Sequence, residues 1–163
     1  MTPCVNDILQ VLEDIAPKNL AEKWDNVGLL VGSGSNRARS ILVALDPTNQ
    51  LVKEAIEIQA DTIITHHPVI FKPLSAINTN DPGGRLLQKA LAANLSIIGC
   101  HTNLDSAVDG LNDVLAASLG LSDLVPLHPA TEDSNAGLGR VGTYAVPISS
   151  HEFIQKLFSV LHL

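Results

Sequence analysis

The sequence predicts an α/β fold: a sheet with helices on both faces, followed by the start of a second α/β lobe. Three observations carry this. Residues 41–45 are a short continuous apolar run of the kind found in strands covered on both faces, and 62–65 and 95–99, each centred on an Ile-Ile pair, read as further short strands. The segments between and after them carry apolar residues at helical spacing. Strands and helices therefore alternate, which implies βαβ units and a largely parallel sheet. Right-handed crossovers would then align successive strand ends along one edge.

Each element has its own local signal. Val5, Ile8, Leu9, Leu12 and Ile15 share one side of a helix that ends before Pro17. Residues 27–31 read as a short strand within a loop, broken by Gly28 and followed by Gly32-Ser33-Gly34. After the strand at 41–45, residues 49–60 form a helix through Leu51, Ala55, Ile56 and Ile58. The strand at 62–65 precedes a helix at 83–93, which uses Leu86, Leu87, Ala90 and Leu91. The strand at 95–99 and a helix at 110–119 complete a first lobe over residues 1–125. Residues 126–137, rich in Pro, Asp, Ser, Asn and Gly, predict a loop. A strand at 140–148 and a helix at 150–161 then open a second lobe over 126–163. One strand and one helix cannot close a core, so that lobe is incomplete.

Composition narrows the function. A chain of 163 residues suits one domain, or one domain and part of another. With 45% apolar and 17% charged residues it is not intrinsically disordered. Mean hydropathy is +0.22, yet no apolar run reaches the length needed to span a bilayer. No basic start leads into an apolar stretch, so no secretory leader is expected. Ten basic against 17 acidic residues give a charge of −7, which disfavours nucleic acid as a partner. Cys4 and Cys100 are too few for a disulfide scaffold and form no C-x-x-C pair, which fits a reducing, cytoplasmic location.

The polar residues that follow the strands are the candidate site. Asp46 follows the first strand of the βαβ series, His66 and His67 end the second, and His101 and Asp105 follow the third. Ligands of open α/β sheets gather beyond the carboxyl ends of strands. Imidazole with carboxylate suits zinc, manganese or iron. On an extended backbone His66 and His67 would point to opposite sides, serving two ions with Asp105 bridging them. Pro68 supports that geometry by keeping His67 out of the helical region.

A structural reading stands beside this one. Histidines often satisfy local hydrogen bonds, Asp105 or Asp109 suits a helix cap, and Asp46 before Pro47-Thr48 suits a turn or cap. Three other motifs carry less. Gly137-Leu138-Gly139-Arg140-Val141-Gly142 spells G-x-G-x-x-G but opens no helix. His128 and Glu132 have H-x-x-x-E spacing, interrupted by Pro129. Cys100 beside His101 suggests a nucleophile and base, but reads better as a small buried hydrophobe.

Three segments then occur in a telling order: Trp24-Asp25-Asn26-Val27-Gly28-Leu29-Leu30-Val31-Gly32, Thr65-His66-His67-Pro68-Val69-Ile70-Phe71 and His101-Thr102-Asn103-Leu104-Asp105. With the glycine-arginine stretch at 137–142, they resemble the NIF-three-like family, whose members are often labelled GTP cyclohydrolase I type 2 homologs. The likeness covers almost the whole chain. The resemblance implies two related α/β lobes facing a cleft with two divalent metal ions, and homo-oligomers that include ring-shaped hexamers. Carried to matching positions, it makes His66, His67 and Asp105 metal ligands and His101 a residue that orients them. Asp46 stays a possible site residue.

The implied function is a dinuclear metal-dependent hydrolase acting on a purine nucleotide ring or a phosphoester, with no general base assigned. The alternative is a non-catalytic metal-binding regulatory or scaffold protein of the same fold. Family members are longer and supply a further His and Glu, spaced H-x-x-x-E, near their C-terminus. This chain ends at Leu163, so the resemblance implies a C-terminally truncated member without those two ligands.

Overall fold

The structure, a computed structural model, describes residues 2–132 and 134–162. They form two compact units, which divide after residue 104. The first is built on a four-stranded sheet. Strands β2 (Ile41–Ala44), β3 (Thr62–Thr65) and β4 (Ser96–Gly99) run parallel, and β1 (Gly28–Val31) pairs antiparallel with β4, giving the order β1-β4-β3-β2. Helix α1 (Val5–Ile15) precedes the sheet; α2 (Asn49–Glu57) and α3 (Pro82–Ala92) connect the parallel strands.

Helices cover both faces because strand side chains alternate. Ile63 and Ile97 point to one side, where they pack with Leu51, Val52 and Ala55 of α2 and Leu86, Leu87 and Ala90 of α3. Their neighbours Ile64 and Ile98 face the other side and meet Val5, Ile8, Leu9 and Leu12 of α1. Central β4 is buried at all four positions, whereas edge strand β2 exposes alternate residues. Thr48 caps α2 by accepting the amide of Leu51 at 3.0 Å. Gly32 adopts φ +99°, and a Cβ there would lie 2.5 Å from the Ser96 hydroxyl, so glycine alone turns the chain away beside β4.

The register of the parallel strands positions the site. Ala44 pairs with Thr65, and Thr65 with Gly99. Asp46, His67 and His101 each lie two residues beyond that row, at the carboxyl edge of the sheet.

The second unit holds α5 (Leu111–Ser118), β5 (Ser122–Pro129), β6 (Gly137–Thr143) and α6 (Ser150–Leu161); the short helix α4 (Thr102–Ser106) crosses the boundary. Strands β5 and β6 form an antiparallel ribbon, with Val125 opposite Val141 and His128 opposite Leu138. Residues 126–129 are thus strand rather than the loop their composition suggested. Prolines and polar residues suit an exposed strand at a sheet edge, where composition imitates a loop. The strand expected at 140–148 runs instead from Gly137 to Thr143. The helix expected at 150–161 forms as expected, with Ser149 and Glu152 capping each other's backbone amides.

The second unit begins at residue 105 and so includes α5. Within this unit α5 is tied to the ribbon by Arg140 of β6. Its guanidinium grips the Asp113 carboxylate of α5 with two nitrogens and donates to the carbonyl oxygens of Ala107, Gly137 and Gly139. These bonds bind α5 to the ribbon. Among the described residues no helix is long and apolar enough to cross a membrane.

Candidate metal centre

Strand β3 ends at Thr65 and the chain bends at His66 and His67. The Thr65 hydroxyl donates to the His67 carbonyl at 2.7 Å, inside the bend. The amides of His66 and His67 donate to the carbonyls of Ala44 (3.2 Å) and Leu45 (3.0 Å), anchoring the bend to the end of β2. The two rings therefore converge, with centroids 5.0 Å apart and planes inclined at 51°. The extended geometry that would send them to opposite sides ends one residue too early. His101, at the end of β4, brings a third ring to 5.1 Å from His66 and 5.6 Å from His67. One ligand atom from each of the three lies within 4.8 Å of the others.

Each imidazole is held through Nδ1. His66 Nδ1 lies 3.0 Å from the Cys100 carbonyl oxygen, His67 Nδ1 2.6 Å from Asp46 Oδ1, and His101 Nδ1 3.0 Å from Asp25 Oδ1. A carbonyl only accepts, so His66 Nδ1 carries the proton and the ring's lone pair sits on Nε2. The carboxylates favour the same arrangement in the other two. Oriented rings with an acceptor behind each are the usual second layer of a metal site.

Asp25 is the more enclosed of the two carboxylates. Its side chain is 0% exposed, against 57% for Asp46. Asp25 also accepts the Asn26 amide at 2.7 Å, the Thr102 amide at 3.1 Å and the Thr102 hydroxyl. Burial by itself would raise its pKa. The hydrogen bonds from His101, Thr102 and Asn26 outweigh burial and hold the carboxyl below its ordinary range.

The structure thus brings together His66, His67 and His101, with Asp46 beside His67. His101 stands in the cluster with His66 and His67. Asp46 supports a histidine, while the cap of the following helix is Thr48. Asp105 lies on α4, four residues beyond His101, and is counted in the second unit. Cys100 is buried, which raises its thiol pKa and suits the hydrophobic role; its contribution to the site is the carbonyl. His128 and the 137–142 glycines lie on the β5–β6 ribbon, not on a helix or a phosphate loop.

Sequence reasoning gave Asp25 no role. The only signal was its place beside Trp24 in the first of the three segments. Three imidazoles of set tautomer, backed by two carboxylates, fit a divalent ion such as zinc, manganese or iron.

Fold and site together define an α/β protein with a histidine cluster at the carboxyl edge of parallel strands. The chain belongs to the Duf34/NIF3 (NGG1p interacting factor 3) family, whose model matches residues 3–163. It is 40% identical over 157 residues to a Clostridium perfringens protein named GTP cyclohydrolase 1 type 2 homolog, covering 96% of this chain and 60% of that one. Among solved structures, a hypothetical protein of Staphylococcus aureus superposes with a TM-score of 0.90 at 27% identity, covering 100% of this chain and 66% of its own. Reduced HcgD from Methanocaldococcus jannaschii gives 0.83 at 31% identity, covering 98% and 60%. The chain spans about 60% of the length of the Clostridium perfringens relative.

Proposed function

We propose that this chain binds two divalent metal ions and uses them in a hydrolytic reaction on a nucleotide or phosphoester. The observation that carries the reading is the convergence of His66, His67 and His101, each with Nδ1 occupied by an acceptor. The three imidazoles would hold metal through Nε2. Asp105, which the family resemblance assigns as a ligand, would supply the carboxylate of the dinuclear set. Bound divalent ions supply Lewis acidity, which lowers the pKa of a coordinated water and polarises a carbonyl or phosphoryl oxygen.

The chain's own residues do the positioning. Asp25 and Asp46 keep the His101 and His67 rings oriented and strengthen them as donors. The Cys100 carbonyl does the same for His66. The names of the relatives favour a purine nucleotide as substrate. Self-association into a ring belongs to the same proposal, and sedimentation velocity checks it.

Elemental analysis of the purified protein is the first test, and about two ions per chain are expected. His66→Ala should lose metal, and Asp105→Ala should lose one of the pair. Little metal, unchanged by His66→Ala, overturns the reading. Turnover of GTP or a generic phosphoester that disappears in Asp105→Ala supports a hydrolase. Full metal content without turnover makes the protein a non-catalytic metal binder.

A further inference from the structure

We propose that Trp24 and Phe71 form a stacking wall beside the histidine cluster, which receives the face of a planar heteroaromatic ring carrying an anionic group. The proposal rests on the metal reading for the anionic group and on the aromatic geometry for the ring.

Trp24 is 59% exposed and Phe71 45%. Their rings meet edge to face, with centroids 5.8 Å apart and planes at 67°. Each centroid also lies 6.3 Å from that of His101, at 74° for Trp24 and 81° for Phe71. The chain has one Trp, one Tyr and three Phe. Two of these scarce aromatics thus stand at the rim of the site, while the buried clusters on both faces of the sheet contain no aromatic residue. An edge-to-face contact occupies little of an exposed indole, so ring surface stays open to solvent beside His101.

The wall is set before a ligand arrives. The Asn26 side-chain amide donates to the Ile70 carbonyl, joining the Trp24 loop to the segment that carries Phe71. Between Trp24 and Asn26, the Asp25 side chain is anchored to His101 and Thr102. Preorganised aromatic surface binds without the cost of ordering it.

Electrostatics decide among the partners of an aromatic face. Such a face accepts either a cation or another π system. A cluster holding divalent ions repels a cationic ligand and attracts an anionic one. The favoured ligand therefore lays a neutral planar ring on Trp24 and directs a phosphate or carboxylate toward the histidines.

Trp24 is the only tryptophan, so its emission reports on the wall directly. The protein is loaded with zinc, and zinc content is measured first as a separate result. GTP and ATP are then titrated against tripolyphosphate and ribose 5-phosphate, which carry the anion without the ring. GTP or ATP should quench the indole saturably, and the ringless probes should not. In equilibrium dialysis, Trp24→Ala and Phe71→Ala should weaken binding of the quenching nucleotide by about 5- to 150-fold. Both variants should keep wild-type zinc content and tripolyphosphate affinity, and Trp24→Phe should recover most of the nucleotide binding.

Unchanged emission with both nucleotides, or equal nucleotide affinity in Trp24→Ala and wild type, overturns the wall. So does a blue-shifted emission that no probe alters, which would place another protein surface on Trp24. Absence of bound zinc overturns the metal reading instead, and ring-dependent quenching still decides the wall.

Discussion

Asp25 and Asp46 make the same hydrogen bond to different histidines, yet their surroundings separate them. Asp25 is fully enclosed and fixed by Thr102 and Asn26, while Asp46 is largely in water. Solvent screens and loosens an exposed pair, so its orienting effect is smaller. Asp25→Ala should weaken zinc binding by about 10- to 100-fold, and Asp46→Ala by clearly less, as read by competition with a chromogenic chelator. Equal losses would show that enclosure does not set the contribution. Asp46 was visible in the sequence because it directly follows a strand. Asp25 was not, because it precedes the edge strand and meets His101 across 76 residues of chain.

At the level of elements, Arg140 and Asp113 tie α5 to β6 within the second unit. The guanidinium hydrogen bonds lower the Asp113 pKa against the opposing effect of burial. A depressed folded-state pKa stabilises the native chain above the unfolded carboxyl value of about 3.9, and the benefit disappears as pH falls through the folded value. Asp113→Asn should therefore cost about 3 kcal/mol at neutral pH. Its difference from wild type should shrink on acidification, as measured by urea unfolding at several pH values. A difference independent of pH would assign the loss to packing instead. Gly32→Ala tests the other forced element. Positive φ and contact with the Ser96 backbone should cost about 1–3 kcal/mol in the same assay. Local pattern revealed α1 and α6 because helical spacing is complete within one segment. It missed β5, because an exposed edge strand lacks the apolar alternation that distinguishes a strand from a loop.

Over the molecule as a whole, the sheet of the first unit carries two separate apolar layers and the site along one edge. Ile97 is completely buried in the layer under α2 and α3. Ile97→Ala should cost about 2–5 kcal/mol in thermal or urea unfolding. The zinc stoichiometry of the folded fraction should hold, since the histidines are set by hydrogen bonds at the strand ends. The sequence by itself determined the alternation of strands and helices, helical cover on both faces and the arrival of His66, His67 and His101 at one edge. Each follows from local periodicity and the parallel arrangement that alternation requires. Tertiary structure alone decided that β1 pairs antiparallel, that His66 and His67 converge, that Asp25 stands behind His101 and that α5 belongs with the β5–β6 ribbon. Those outcomes depend on hydrogen bonds and packing between residues far apart in the chain, and a local pattern carries no record of such partners.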